Sequence, residues 1–280
     1  MQIRNISIPA KDGAKIVAKI YDNEDSALRA MVIVCHGFGE HSGSFKDLAA
    51  HLVSEGYGCL VFTQRGHGAL HPKKLGVIPG YGSFLDDIES AAAEVKSRLP
   101  GCPIILYGHS MGGNIAINYI IERGASDFVC AVLESPWLGL YKEVHPAKAG
   151  ILRALGRIIP DVRLPEKETK LAFSDITSDE SKQKEFQSDA LYHNKMSIRL
   201  IRDIVDRCLY ATENAPKFTI PTFLAIAKND RIVCNKAALD FYGLCKNNIK
   251  LKEYDSQHGI RNDVRREDFF ADVTTFLSKR

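Results

Sequence analysis

The chain has 280 residues, 45% of them hydrophobic, with 37 Lys and Arg against 34 Asp and Glu for a formal net charge of +3. That length suits one large domain with an insertion better than two equal ones. The small charge excess gives no reason to expect nucleic acid as a partner, and no apolar run approaches the roughly 18 residues of a membrane span. Ile3, Ile6 and Ile8 alternate with polar residues at the N-terminus, which lacks the apolar region of a signal peptide, so a cytoplasmic location is expected. Seven cysteines without metal-ligand spacing fit reduced thiols rather than a disulfide framework, and neither metal nor cofactor is expected.

Strands are expected at residues 2–7, 15–21, 30–35, 58–63, 104–107, 128–133, 222–227 and 249–254. The first two, joined at Gly13, read as an antiparallel hairpin. Several of the later runs are nearly continuous in apolar residues, as in parallel strands covered on both faces. Helix-period segments separate them. In one, Leu85, Ile88, Ala92, Val95 and Leu99 share a face; Ser83 and Asp86 suggest a capping box at its start, and Pro100-Gly101 stops it. The last helix, over residues 265–279, stacks Phe269, Val273, Phe276 and Leu277. Strands alternating with helices predict an α/β fold, a mostly parallel eight-stranded sheet with helices on both faces.

The alternation breaks after the sixth strand. Residues 137–187 show no strand pattern and are expected to form a helical cap inserted into a core made of residues 1–136 and 188–280. Within the insertion, residues 147–159 carry Ile151, Leu152, Leu155, Ile158 and Ile159 among Lys148, Arg153 and Arg157, an amphipathic helix. Residues 137–170 hold seven basic and four acidic side chains. This excess suggests a weak, transient membrane contact through the cap.

Gly108-His109-Ser110-Met111-Gly112 follows the apolar run Ile104-Ile105-Leu106 and precedes a helical run. A serine between small residues at a strand-to-helix junction is a nucleophile elbow. The tight turn lifts the hydroxyl above the sheet, and the Met111 amide lies at a helix N-terminus, where free N–H groups favour an oxyanion.

A serine nucleophile needs a base and an acid, in the chain order Ser, Asp or Glu, His for this topology. After Ser110 the histidines are His145 in the insertion, His193 beside an expected helix start, and His258. His258 follows the last strand, where a loop reaches across the strand ends, and is the candidate base. Asp230, just past the seventh strand, is the candidate acid; Glu134, at the end of the sixth, is its competitor. The second oxyanion donor belongs after the third strand, where His36-Gly37-Phe38-Gly39 places the Phe38 amide. The Gly37-x-Gly39 pair lacks the remaining spacing of a dinucleotide fingerprint, and His36/His41 and His67/His71 lack the Glu and helix of a zinc motif. Trp137, Leu138, Ile151 and Leu155 are candidates to line an acyl pocket.

With these motifs in view, the chain resembles the monoacylglycerol lipase and lysophospholipase branch of the α/β-hydrolase superfamily, also labelled serine aminopeptidase S33-like. The motifs are residues 36–43 (His-Gly-Phe-Gly-Glu-His-Ser-Gly), Arg65-Gly66-His67-Gly68, residues 108–113, Asn229-Asp230-Arg231 and His258-Gly259. The resemblance implies Ser110, Asp230 and His258 as a triad, Phe38 and Met111 as oxyanion amides, and a small-molecule or lipid monoester as substrate. Ser44-Phe45 stands where the family usually has Arg-Tyr, and residues 69–81 depart from its small polar loop. A feruloyl-type or short-chain carboxylesterase is the alternative enzyme, and a catalytically silent binding protein on the same fold the alternative of another class.

Overall fold

The computed structural model describes residues 1–23, 27–69, 72–141, 146–245 and 248–280; His71 and His145 fall outside them. Eight strands form one sheet in the order β1-β2-β4-β3-β5-β6-β7-β8. The strands are β1 (Gln2–Pro9), β2 (Lys15–Asp22), β3 (Met31–Cys35), β4 (Gly58–Phe62), β5 (Ile104–His109), β6 (Cys130–Glu134), β7 (Thr222–Ala227) and β8 (Ile249–Tyr254). β1–β2 and β2–β4 pair antiparallel, and every pair from β4 onward is parallel. The hairpin turns at Gly13, whose φ of +82° suits glycine.

β3 to β7 are buried along their whole length, because helices cover both faces. Alternate side chains feed two cores. Ile33 and Leu106 join the layer under α2 (Gly82–Arg98) and α3 (Met111–Arg123). Val34 and Tyr107 join the opposite layer with α1 (Lys46–Ser54) and α10 (Arg266–Leu277). The period of two along each strand thus decides which helix layer a residue meets.

Two local expectations change. Ser83 is not the cap of α2: the helix starts at Gly82, and the Ser83 hydroxyl donates to Gly80 O at 2.7 Å from inside the first turn. His193 lies in a loop, not beside a helix start, since the next helix opens at Ile198.

Between β6 and β7 the chain forms α4 (Pro146–Ile158), α5 (Glu166–Thr169), α6 (Phe173–Ile176), α7 (Glu180–Ser188) and α8 (Ile198–Glu213). α4 packs on α8, with Arg202 Nη1 donating to Gly156 O at 2.7 Å. α8 also packs on α3. Among the described residues no helix is long and apolar enough to cross a membrane. α9 (Asn235–Cys245) follows β7.

Candidate active site

Ser110 sits between β5 and α3 with φ +52° and ψ −116°, one of two non-glycine residues with positive φ among those described. Three bonds hold it there. Its amide donates to Glu134 O at 3.0 Å, and its carbonyl accepts from Asn114 N at 3.1 Å and Trp137 N at 2.9 Å. The surrounding glycines are steric requirements. A Cβ on Gly112 would stand 2.0 Å from Cys35 O, one on Gly108 2.6 Å from Gly112 O, and one on Gly113 2.8 Å from Pro136 Cβ.

His258 follows β8, and its Nδ1 lies 2.6 Å from Asp230 Oδ2. The other carboxylate oxygen, Oδ1, accepts from the amides of Ile232 and Val233 at 2.8 and 2.9 Å. Asp230 is thus both a turn aspartate and the partner of the histidine. Burial would raise its pKa, but the His258 charge, the bond to it and the two amides hold it below the usual range. Burial likewise pushes His258 down, and Asp230, with Glu134 and Glu40 farther off, outweighs that and raises it.

Glu134, the competing acid, is spent elsewhere. Its carboxylate accepts from the Arg261 amide at 2.9 Å, from Arg261 Nη1 at 3.0 Å and from the Tyr107 hydroxyl at 2.5 Å. Burial opposes its ionisation, yet Arg261 and His109 hold it well below the carboxylate range. His109 packs against His258 with ring centroids 5.0 Å apart.

The loop after β3 approaches from the other side. A Cβ on Gly37 would lie 2.9 Å from His109 Cδ2 and 3.3 Å from Ser110 Cβ, so only glycine lets the turn come this close. Its amide donates to Glu40 Oε2 at 2.7 Å. The Phe38 ring rests edge-on against His67 and His193. Met111 opens α3, so its amide has no carbonyl one turn earlier within the helix to donate to. His36, His67 and His193 pack together beneath this loop, with centroids 5.1 Å apart for the first pair and 4.8 Å for the last.

Ser110, His258 and Phe38 face a cavity of about 540 Å³. Trp137 lines it too. The other three proposed lining residues do not. Leu138 is buried in the core away from the cavity, Leu155 is half-buried outside it, and Ile151 is 59% exposed. Among the described side chains of α4, Leu152 is on the wall; neighbours on a helix point about 100° apart, and Ile151 faces solvent. Leu140, Leu164, Leu171, Ile176, Phe186, Tyr192, Met196 and Ile201 complete the apolar wall. Apart from Ile201 on α8, they are scattered over irregular chain and short helices, where no periodicity marks them. Arg261 also went unmarked in the sequence, being one arginine in a charged stretch.

Residues 26–265 match the profile of a family described as serine aminopeptidase, S33. A Bacillus subtilis relative named phospholipase YtpA is 27% identical over 255 residues, covering 89% of this chain and 95% of that protein. An uncharacterized abhydrolase domain-containing protein of Dictyostelium discoideum is also 27% identical, over 90% of this chain; the chain spans about a quarter (26%) of that longer protein. The solved structure of a soluble variant of Saccharomyces cerevisiae monoglyceride lipase, in complex with a substrate analog, superposes with a TM-score of 0.83. It is 28% identical, with 99% of this chain and 94% of that one covered. With the elbow, the strand order and a match across most of its length, the chain belongs to the serine aminopeptidase S33 family, among the α/β-hydrolase ester hydrolases that include the monoglyceride lipases.

Proposed function

We propose that the protein cleaves lipid monoesters, of the monoacylglycerol or lysophospholipid type, through an acyl-enzyme on Ser110. The observation that carries this reading is the His258–Asp230 pair at 2.6 Å, with His258 and Ser110 on the wall of one largely apolar cavity. Asp230 accepts a hydrogen bond from Nδ1–H, which fixes the tautomer and leaves Nε2 free to take the Ser110 proton. The hydroxyl oxygen attacks the ester carbonyl, and the amides of Phe38 and Met111 hold the resulting oxyanion. Collapse breaks the bond to the alcohol, which leaves with the proton from Nε2. Water then gives a proton to His258 and attacks the acyl carbonyl; release of the fatty acid returns the proton to Ser110. This scheme requires neither metal nor cofactor.

Residues 137–187 act as the cap in this reading, with Leu152, Leu164, Leu171 and Phe186 contributing the acyl-binding surface. Ile151, Ile158, Ile159 and Val162 are exposed at the outer end of the cap, an apolar group suited to brief contact with a lipid surface from which the substrate is drawn.

The test is a series of nitrophenyl esters from acetate to long acyl chains, set beside a monoacylglycerol, a lysophosphatidylcholine and a feruloyl ester. Rising kcat/KM with chain length and turnover of a lipid monoester are expected. A flat series with the feruloyl ester as the best substrate would move the assignment to the carboxylesterase alternative. Failure of a fluorophosphonate to label Ser110 would leave a silent binding protein.

A further inference from the structure

We infer that Arg261 is a positioning residue: one buried guanidinium ties together the three loops that carry the oxyanion donor, the nucleophile and the base. This rests on the catalytic reading of Ser110 and His258. Arg261 is 1% exposed and lies in the short 3-10 turn Ile260–Asn262, three residues after His258. Its Nη2 pairs with Glu40 Oε1, and Glu40 Oε2 takes the Gly37 amide at 2.7 Å, immediately before Phe38. Its Nη1 and backbone amide hold the two oxygens of Glu134 at 3.0 and 2.9 Å, while the carbonyl of Glu134 receives the Ser110 amide at 3.0 Å. The guanidinium stacks over the Phe45 ring, 4.0 Å from its centroid. Phe45 is itself buried, immediately before α1.

Two buried carboxylates without a cation would be strongly unfavourable, and a planar fork suits two carboxylates on different loops better than a lysine ammonium. The arrangement also places charge around the base. The titratable and charged groups surrounding His258 are Asp230, Glu134, Glu40, His109 and Arg261, with Glu168, Lys170, Asp175 and Arg231 on the cavity wall. Glu134 and Glu40 both favour the imidazolium, and the Arg261 charge sits against both carboxylates. Its removal therefore leaves two buried carboxylates without a cation, which draws protons onto them, changes the charge around His258 and loosens the loops.

The experiment compares Arg261→Lys and Arg261→Met in the full-length protein. Arg261→Lys keeps the charge and loses the fork, so kcat is expected to fall about 10- to 100-fold with KM little changed, the acid limb of kcat/KM staying in place. Arg261→Met is expected to lose more, because both buried carboxylates are left without a cation. The ¹H–¹⁵N signals of the His258 imidazole should shift in Arg261→Met, a change read without any ester. That separates this inference from the substrate assignment: a wild type that turns over nitrophenyl acetate but no lipid monoester, with the NMR shift present, would defeat only the latter. A folded variant with kcat within twofold of wild type, a loss confined to KM, or unmoved His258 signals in Arg261→Met would overturn the inference. Should Arg261→Met fail to fold, the kcat of Arg261→Lys decides alone.

Discussion

His258 and Asp230 are joined across two loops that follow β8 and β7, Nδ1 to Oδ2 at 2.6 Å, and the aspartate is itself pinned by the amides of Ile232 and Val233. The imidazole is therefore oriented by a carboxylate that cannot rotate without leaving two backbone donors unpaired. Asp230→Asn is expected to lower turnover by about 10³- to 10⁴-fold, since an amide can hold the wrong tautomer and cannot stabilise the imidazolium. Glu134→Gln should cost less than about 100-fold in turnover and show mainly as lost stability, its carboxylate being a partner of Arg261. Steady-state kinetics with thermal melts of both variants will rank them; the opposite ranking moves the acid to β6.

Activity should fall as the pH drops through the His258 pKa, because only the neutral ring can accept the Ser110 proton. Burial lowers that pKa, but Asp230 reverses the effect and leaves it above the ordinary 6.5. The acid limb of kcat/KM is expected above 6.5, and a limb below 6 contradicts this electrostatic account.

Stability is governed by other histidines. Burial lowers His36 and His193 to about 4 and His67 well below its usual range. The unfolded chain takes up these protons near 6.5 while the native state refuses them, so stability is full above 6.5 and is lost as the pH falls towards 4. His109 is lowered by burial in the same way, and His258, shifted upward, contributes in the opposite sense, one against four. A Tm that declines steadily from pH 7 to 4.5 in differential scanning calorimetry is the expected result, and a constant Tm would show that these rings are not protonation-resistant in the folded state.

Ser110→Ala and His258→Ala should each lower ester turnover by about 10⁴- to 10⁶-fold. Ser110→Gly goes further as a structural test. The φ of +52° costs a serine on the order of 1–3 kcal/mol, and glycine relieves it. The inactive Ser110→Gly protein should therefore melt a few degrees above wild type, at about 2–4 °C per kcal/mol. By contrast, Gly112→Ala should fail to fold, with its Cβ directed at Cys35 O.

Leu152→Ser should reduce kcat/KM for long-chain esters steeply and for acetate esters slightly, at about 0.8 kcal/mol per methylene left without apolar cover. Ile151→Ser, one position away and exposed, should leave kcat/KM for soluble monomeric esters unchanged. Equal behaviour of the two variants on a chain-length series would remove α4 from the acyl-binding surface.

The sequence by itself determined the sheet, the elbow and the catalytic candidates. Apolar runs at 104–106 and 223–227 leave a chain few alternatives to buried parallel strands, and Gly108, Gly112 and Gly113 around Ser110 mark a tight strand-to-helix turn. Such signals are local, so they survive without a structure. Only the tertiary structure decided that Asp230 meets His258 while Glu134 is claimed by Arg261, since both acids end neighbouring strands and differ only in their distant partners. It also decided that Leu152 rather than Ile151, Leu155 or Leu138 meets the cavity. An amphipathic pattern says that a face is buried but not against what, and the face of α4 is divided among α8, the cavity and solvent. Arg261 makes the same point: its role depends on two carboxylates 127 and 221 positions away in the chain, a separation that no spacing within the sequence records.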